Sequence, residues 1–379
     1  MKKLVIFTTV PLSLATLVKG QPKYLSSFFD VSLVTSNEPI NSQIEAYEGV
    51  KLEAIDMSRK ITPLYDLKSL FKIYIYLIKT KPDMVYSFTP KAGLLAMIAS
   101  FFARVPVRVH NIVGMPLVEA TGNKKRILKI VERLTYSFST NLFCNSFGLQ
   151  KYIKDNLTKK EVKVIANGSI NGIDTEFFKD NFTNIEKESL RDNLHIKKSD
   201  FVLIFIGRVV KDKGINELIE AFSILNKSYD NIKLLIVGDF EEHLNAIDKN
   251  SMNLMKSSKS IIQIDFQKDI RPYLSIANLF VLPSYREGLP NSLLEAGSFG
   301  LPLVATNING CNEIIIDREN GILVDKKSVD SLVNAILELI ENKNLYNKIK
   351  NSVRNSIITR YNQAFFLRNI KDELEKLLL

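Results

Sequence analysis

Short apolar runs alternate along the chain with longer stretches of mixed apolar and polar positions. Continuous apolar runs are typical of strands buried on both faces, and the mixed stretches fit the helices that connect such strands. In the first half they predict strands at 4–8, 31–35, 84–88, 107–112, 141–145 and 162–166. In the second half they predict strands at 201–206, 233–237, 261–264, 279–282, 303–305 and 321–324. The pattern indicates an α/β fold with parallel sheets.

A length of 379 residues favours two domains over one core. The turn-rich segment 167–174 reads N-G-S-I-N-G-I-D and is the predicted connection between them. We therefore place one domain at 1–170 and a second at 171–360. The stretch 361–379 has the pattern of a charged amphipathic helix.

The net charge of +10 is unevenly distributed between the two halves of the chain. Residues 1–170 hold 24 Lys and Arg and 12 Asp and Glu, whereas residues 171–379 hold 27 Lys and Arg and 29 Asp and Glu. A basic first half is consistent with nucleic acid, an anionic membrane or a phosphate-bearing ligand. Cys144 and Cys311 are far apart and form no metal or disulfide pattern, which favours a reducing compartment. Residues 4–18 resemble a signal peptide, but the interrupting Thr, Pro and Ser residues favour a first strand, a loop and a helix.

Two carboxylates, Glu287 and Glu295, lie eight positions apart in the segment R-E-G-L-P-N-S-L-L-E, after the strand at 279–282. A strand, a Gly/Pro loop and a helix start present backbone N–H groups, and a helix N-terminus favours a diphosphate. Glu287 at the loop tip can accept hydrogen bonds from sugar hydroxyls. Glu295, about two helical turns further on, can chelate a ribose diol. The segment predicts a nucleotide-sugar site.

A second glycine-rich segment, G-R-V-V-K-D-K-G, follows the strand at 201–206 and contains Gly207, Arg208 and Lys213. Ligands of open α/β sheets bind beyond the carboxyl ends of the strands, where these side chains are expected. A guanidinium contacts a phosphate with two donors and an ammonium adds a point charge. Solvated surface charge is the alternative, and the Glu287–Glu295 segment favours the phosphate interpretation.

These motifs resemble glycosyltransferase family 4, whose retaining members have the GT-B fold. The resemblance extends to V-L-P-S-Y-R-E-G-L-P-N-S-L-L-E-A, G-L-P-L-V-A-T and E-N-G-I-L-V, and in the first half to K-P-D-M-V-Y-S-F-T-P-K-A-G-L-L and G-M-P-L-V-E-A-T-G. It implies two Rossmann-like domains with parallel sheets facing a central cleft, the first for the acceptor and the second for the nucleotide sugar. The final helix would cross back to the first domain. The first-half motifs resemble a bacterial branch that extends polyprenyl-diphosphate-linked saccharides for O-antigen, capsule or glycans, with a UDP-sugar donor.

The resemblance also implies roles for individual residues. Arg208 and Lys213 would hold the diphosphate, Glu287 the transferred sugar and Glu295 the ribose. The remaining implied donor contacts are Gly207, Ile264, Phe266, Gly288, Leu289, Pro290, Asn291, Ser292 and Leu293. Asp265 stands where relatives often have glycine, which weakens the uracil assignment, and Val113 stands where many have histidine. His110 would point to the other face of its strand, so we assign it no catalytic role.

No D-x-D occurs, so neither a metal nor any other cofactor is predicted, and the resemblance implies front-face transfer in which basic groups stabilise the leaving UDP. Lys91, and more weakly Arg59, are candidates for the acceptor diphosphate. The basic amphipathic stretches 67–79, with Phe71, Tyr74 and Tyr76, and 123–135 are candidates for peripheral contact with an anionic membrane, on the cytoplasmic face.

Three alternatives are open to different degrees. A nicotinamide-dependent oxidoreductase would need G-x-G-x-x-G after the first strand, where the chain reads T-V-P-L-S. Nucleic-acid binding rests on charge alone, without a recognised signature, and is not predicted. A transferase of the same fold with a soluble sugar or sugar-phosphate acceptor would share every donor motif.

Overall fold

The computed structural model describes residues 1–58, 62–115, 117, 120–240 and 245–379. Arg59, a weak acceptor candidate, lies outside these residues. Contacts between Cα atoms divide the chain into two compact units. Unit 1 comprises Met1–Gly172 together with Gln363–Leu379, and unit 2 comprises Ile173–Asn362. The domain boundaries predicted at 170 and 360 lie within two residues of this division.

Unit 1 contains one parallel sheet with the strand order β3-β2-β1-β4-β5-β6-β7. Its strands are β1 (Lys3–Phe7), β2 (Asp30–Thr35), β3 (Lys51–Ala54), β4 (Met84–Phe88), β5 (Val107–Ile112), β6 (Asn141–Cys144) and β7 (Val162–Val164). Within its described residues, the helices before unit 2 are α1 (Pro11–Thr16), α2 (Gln21–Leu25), α3 (Asn41–Glu48), α4 (Pro63–Thr80), α5 (Pro90–Phe102), α6 (Gly122–Phe138) and α7 (Phe147–Asn156). The first strand predicted near the N-terminus is confirmed as β1.

Unit 2 contains a second parallel sheet, in the order β10-β9-β8-β11-β12-β13. Its strands are β8 (Phe201–Ile206), β9 (Ile232–Val237), β10 (Ile261–Ile264), β11 (Leu279–Leu282), β12 (Leu303–Thr306) and β13 (Gly321–Val324). Its helices in the described residues include α8 (Asn184–Asn193), α9 (Ile215–Leu225), α10 (Lys249–Ser257), α11 (Arg271–Ser275), α12 (Asn291–Phe299), α13 (Cys311–Ile314), α14 (Val329–Glu341) and α15 (Lys343–Tyr361). The last helix of the chain, α16 (Gln363–Lys376), belongs to unit 1.

The core of unit 1 shows why its strands are continuously apolar. Leu4 and Ile6 of β1 pack with the helices on one face of the sheet, whereas Val5 and Phe7 pack with α4 and α5 on the other. Alternate residues of a strand point to opposite faces, so a sheet covered on both sides must be apolar at every position. Phe366, Leu367, Ile370 and Leu374 of α16 complete the first of these two cores.

Two elements differ from the sequence prediction. The strand β3 was not predicted, because only Leu52 of its four residues is even partly buried and its sole sheet neighbour is β2. The helix predicted at 361–379 is present as α16 and begins two residues later, at Gln363, because Tyr361 is the last residue of α15. Asn362 between them has extended ψ and forms a parallel bridge with Ile173, which an apolar pattern does not reveal.

Candidate active site

The order of strands in unit 2 places the two predicted ligand-binding segments side by side. Successive strands run outward in one direction from β8 to β10 and in the other from β11 to β13. The strands themselves are parallel, but the order in which the chain adds them across the sheet reverses between β8 and β11. These two strands are hydrogen-bonded neighbours. Open α/β sheets bind ligands in the crevice that opens at such a switch point. The loops after β8 and β11 carry G-R-V-V-K-D-K-G and S-Y-R-E-G-L-P.

Three side-chain pairs and a backbone hydrogen bond join the loop after β11 to the loop after β8 and to α9, which follows that loop. Lys213 Nζ lies 2.5 Å from Glu287 Oε1, with both side chains mostly buried. Arg286 Nη2 lies 2.7 Å from Asp212 Oδ2. Tyr285 donates from its hydroxyl to Glu217 Oε1 at 2.6 Å and from its backbone N–H to the Asp212 carbonyl at 2.9 Å. The predicted diphosphate-binding ammonium and sugar-binding carboxylate are thus in direct contact, 74 residues apart in sequence.

Glycines permit this close approach of the loops. Gly214 has a φ of +72°, and a Cβ there would lie 2.0 Å from the carbonyl oxygen of Pro283. Gly310, with a φ of +81°, would likewise place a Cβ 2.0 Å from the carbonyl oxygen of Gly288. Asn309 supports the same turn by donating from Nδ2 to the carbonyls of Glu287 and Gly288, each at 3.3 Å. Side chains at either glycine would displace the backbone that carries Glu287.

The N-terminus of α12 lies directly after the loop that contains Glu287. Pro290 is its N-cap residue and provides no side-chain hydrogen bond, and the first turn contains no acidic residue. The first N–H groups of a helix lack intrahelical partners and favour a nearby anion. The region from Gly288 to Asn291 is therefore suited to a phosphate group. Leu289 and Leu293 are buried in the core of unit 2, so ligand contact from them would have to involve the backbone.

Glu295 lies in α12, and the description of the two carboxylates as two helical turns apart is wrong. The helix begins at Asn291, so Glu295 is little more than one turn from its start and Glu287 is in the preceding loop. Glu295 is only partly exposed, and no other residue in the described part of the chain forms an ion pair or hydrogen bond with it. Burial raises the pKa of its carboxyl from 4.5 to about 7. A carboxylate in this state has unsatisfied acceptor capacity for a polar ligand.

The residues predicted to flank the base lie at the end of β10, which is separated from β8 by β9. Ile264 ends β10, and the side chain of Phe266 is 56% exposed beyond it. Asp239, after β9, accepts a hydrogen bond from the backbone N–H of Phe266 at 2.8 Å. Arg208 is exposed after β8, and the neighbouring N–H of Val209 donates to the Asp239 carbonyl. The three loops that carry these residues lie at the carboxyl edge of one sheet.

Unit 1 has a corresponding switch point between β1 and β4. The hydroxyls of Thr9 and Thr89 lie 2.7 Å apart, and the N–H of Ala92 donates to the Thr9 hydroxyl at 3.1 Å. Thr89 has a φ of +67°, which is unusual for a β-branched residue. Lys91, in the first turn of α5, forms a short ion pair with Asp66 of α4. The acceptor candidate thus lies at the carboxyl edge of its sheet with its charge already partnered.

His110 is confirmed as a buried, hydrogen-bonded histidine. Its side chain is 2% exposed, and Nδ1 lies 2.9 Å from the hydroxyl of Ser87. Burial lowers the pKa of its imidazole from 6.5 to about 4. It packs closely on α5, where a Cβ at Gly93 would lie 2.2 Å from its Cε1. The ring therefore fills the interior of unit 1 rather than a ligand site.

Sequence reasoning missed Asp212, Tyr285, Arg286 and Glu217, which join the loop after β11 to the loop after β8 and to α9. Asp212 and Arg286 immediately precede Lys213 and Glu287, so opposite charges at matching positions of the two segments were a readable signal. Tyr285 and Glu217 have no such signal, because their pairing depends on how α9 lies relative to the loop after β11.

Comparison with known proteins follows the same division of the chain. A family model described as Glycosyl transferases group 1 matches residues 186–356, and one described as Glycosyl transferase 4-like matches residues 15–146. The Staphylococcus aureus capsular polysaccharide biosynthesis glycosyltransferase CapM is 31% identical over 382 residues, covering 100% of this chain and 97% of its own. The Escherichia coli UDP-Gal:alpha-D-GlcNAc-diphosphoundecaprenol alpha-1,3-galactosyltransferase is 31% identical over 353 residues. This match covers 91% of the present chain and 88% of the E. coli protein.

Among solved structures, Anabaena HepE in complex with UDP-glucose superimposes with a TM-score of 0.82 at 20% identity, covering 99% of this chain and 100% of that one. Two parallel-sheet units of this order define the GT-B class of glycosyltransferases. The chain belongs to the group 1, family 4 glycosyltransferases and is an enzyme that transfers a sugar. The resemblance and the fold class inferred from the sequence are confirmed.

Proposed function

We propose that this enzyme transfers a hexose or N-acetylhexosamine from a UDP-sugar, with retention, to a saccharide carried on a membrane polyprenyl diphosphate. The product would serve surface polysaccharide or glycan synthesis. The relatives from S. aureus and E. coli are named for capsule synthesis and for transfer to a diphosphoundecaprenol-linked sugar, respectively. Both match nearly the whole chain, including the acceptor-side half, and this favours a lipid-linked acceptor over a soluble one.

The contact between Lys213 and Glu287 is the main observation that supports the assignment of the donor site. It brings a cation for a diphosphate and an acceptor for sugar hydroxyls to one point, beside the N-terminus of α12. Glu295, whose carboxyl is without a partner in the described residues, is on the same helix. Cation, helix N-terminus and two carboxylates match the successive parts of a nucleotide sugar. We assign Lys213 and Arg208 to the diphosphate, Glu287 to the transferred sugar and Glu295 to the ribose.

The proposed reaction is a front-face displacement. The acceptor oxygen forms a bond to the anomeric carbon on the side from which UDP departs, as the bond between that carbon and the phosphate oxygen breaks. The acceptor proton passes to the departing phosphate oxygen. Arg208, Lys213 and the first N–H groups of α12 stabilise the charge that develops on UDP. Neither glutamate acts as a nucleophile, and we propose that the reaction requires no metal or other cofactor.

On the acceptor side we assign Lys91 to the lipid diphosphate. It lies at the carboxyl edge of the unit 1 sheet, in the first turn of α5, where N–H groups are also directed outward. Its ion pair with Asp66 must loosen as the diphosphate binds. Loss of this ammonium in Lys91→Ala is expected to raise the KM for the lipid acceptor and leave the KM for the UDP-sugar unchanged.

We further propose that α4 and α6 hold unit 1 against an anionic membrane, at the cytoplasmic face. Large apolar side chains are exposed at i, i+3 and i+7 on both helices: Leu64, Leu67 and Phe71 on α4, and Ile127, Ile130 and Leu134 on α6. Lysines and arginines accompany them, namely Lys68, Lys72, Lys124, Lys125, Arg126 and Arg133. Apolar insertion with basic residues alongside is the pattern of an interfacial helix. In the described residues no helix combines the length and apolarity of a membrane span.

Tyr74 and Tyr76 do not belong to this surface, although they share its sequence stretch. Both pack against the core beneath α4, and the Tyr76 hydroxyl lies 3.2 Å from that of Ser32.

The deciding experiment has two stages. Thermal shifts of the purified protein with UDP, GDP, ADP and NAD, each with EDTA, identify the nucleotide. UDP-sugars are then offered with a polyprenyl-diphosphate-linked N-acetylhexosamine, and the anomeric configuration of the product is determined by NMR. Stabilisation by UDP in EDTA, followed by a retained linkage on the lipid, is the expected result. A shift with another nucleotide alone, or transfer only to soluble sugar phosphates, would refute the corresponding half of the proposal.

A further inference from the structure

The loops after β8 and β11 are joined by two ion pairs at matching positions. Asp212 pairs with Arg286, and the residues that follow each of them, Lys213 and Glu287, pair with one another. Binding of the donor would affect the two ion pairs differently. Under the proposed function, Lys213 and Glu287 contact phosphate and sugar, so their mutual contact is exchanged for contacts with the donor.

Asp212 and Arg286 have no role in that function, and their contact is unaffected by this exchange. We infer that the Asp212–Arg286 ion pair is a positioning clamp, which fixes the separation of the two loops when the donor replaces the Lys213–Glu287 contact. The inference rests on the proposed function and adds two positioning residues to it.

The geometry supports this role over that of an exposed surface ion pair with no effect on loop position. The Arg286 and Asp212 side chains are 33% and 19% exposed, so solvent screens their contact only partly. The Asp212 carbonyl also accepts from the backbone N–H of Tyr285, so the residue is held at both its main chain and its carboxylate. The side chain of Arg286 is therefore anchored to a fixed point on the opposite loop. Because Glu287 is the next residue, the anchoring of Arg286 also restricts the position of Glu287.

Loss of the clamp should impair chemistry more than folding. A sugar-binding carboxylate and a diphosphate-binding ammonium must be placed within a fraction of an ångström for the transition state. A donor still binds when the loops move apart, because its base and ribose are assigned to Phe266 and Glu295, which lie outside these two loops. We therefore expect a fall in kcat that exceeds the rise in KM for the UDP-sugar.

The test compares Asp212→Asn, Arg286→Gln, the double variant and the charge exchange Asp212→Arg with Arg286→Asp. Turnover of the UDP-sugar gives kcat and KM, and Tm is measured for each protein. The matched control is the ion pair between Lys187 of α8 and Asp180, which precedes that helix, at 2.5 Å and with side chains 24% and 36% exposed. It is tested as Asp180→Asn and Lys187→Gln.

Each single variant is expected to lower kcat/KM at least tenfold, equal to about 1.4 kcal/mol of transition-state stabilisation. The double variant should lose no more than either single one, because both remove the same contact. The charge exchange should recover at least threefold over the double variant, and the control pair should leave kcat unchanged at a similar Tm.

An effect of Arg286→Gln alone would mean that Arg286 contacts the donor directly, and it would overturn the inference. Losses that multiply in the double variant, or no recovery on charge exchange, would do the same. Should Asp212→Asn fail to fold, Asp212→Glu, which keeps the charge and displaces it, must still lower kcat more than it raises KM. Wild-type protein without UDP-sugar turnover would refute the proposed function itself, whereas active wild type with unaffected variants would refute only the clamp.

Discussion

Glu295 makes the stability of unit 2 depend on pH. Burial raises the pKa of its carboxyl from 4.5 to about 7, so the folded protein retains a proton that the unfolded chain releases between these values. The unfolded state binds fewer protons in that window, and the free energy of unfolding therefore falls as pH rises from 4.5 to 7.

Glu295→Gln should abolish this dependence. The variant is expected to match wild type near pH 4.5 and to exceed its free energy of unfolding at pH 8 by up to about 3 kcal/mol. Urea denaturation at the two pH values measures the difference. Glu220→Gln on the exposed face of α9 is the control and should follow wild type at both. Equal gains at pH 4.5 and pH 8 would show that the ionised carboxylate is not the cause.

Arg208 is the residue whose loss should affect the chemical step most directly. It is exposed at the carboxyl end of β8, and its guanidinium is assigned to the departing diphosphate. Arg208→Ala should lower kcat about 100-fold, by comparison with the loss of one transition-state donor in other enzymes. Steady-state kinetics with the UDP-sugar is the measurement, and Lys198→Ala, on an exposed lysine of the same unit, is the control. A variant within threefold of wild type would remove Arg208 from this role.

At the scale of elements, the exposed apolar residues of α6 give a direct test of membrane contact. Ile130 is 65% exposed, and Ile130→Glu should weaken binding to vesicles that contain anionic lipid by at least tenfold, because it places a charge in the inserted face. Vesicle flotation measures the bound fraction. Ile185→Glu on α8, where Ile185 is 79% exposed, is the matched control and should bind as wild type does. Equal loss in both variants, or none in Ile130→Glu, would contradict the assignment to α6.

The sequence was sufficient for elements whose residues are buried on both sides. All six predicted strands of each half appear as strands, because a parallel strand between two layers of helices must be apolar throughout. The edge strand β3 (K-L-E-A) is largely exposed, so its only constraint is pairing with β2, which leaves no pattern. The start of the last helix was predicted only to within two residues, since the extended conformation of Asn362 depends on contacts with Ile173 and Thr175 far away in sequence.

The candidate site divides in the same way. Glycines and charges after strands were readable, because a turn and a helix start have local signatures. The pairing of Lys213 with Glu287, and of Tyr285 with Glu217, requires knowledge of which strands are neighbours, and no local pattern contains it.

At the scale of the whole molecule, α16 is the element that links the two ends of the sequence into one unit. Ile370 is fully buried in the first core of unit 1, to which residues of β1, β4 and α2 also belong. Ile370→Ala should lower the stability of unit 1 by about 2–5 kcal/mol, the usual cost of a cavity of this kind. Hydrogen exchange should therefore quicken in β1 and β4 and stay unchanged in β8 and β11.

The reciprocal substitution is Ile357→Ala in α15, which is equally buried in unit 2. It should quicken exchange in β8 and β11 alone. Faster exchange in β8 after Ile370→Ala, with β1 unaffected, would contradict the assignment of α16 to unit 1.

The bridge between Ile173 and Asn362 joins the first and last residues of unit 2, so that unit is an insertion within the sequence of unit 1. Translation proceeds in one direction, and the order of synthesis therefore differs from the order in which the units become complete. Unit 2 is fully synthesised while unit 1 still lacks α16, whose Phe366, Leu367, Ile370 and Leu374 belong to the first core of unit 1. The half of the enzyme that is made first is thus the last to complete its core, and apolar surface that is exposed in this interval promotes aggregation.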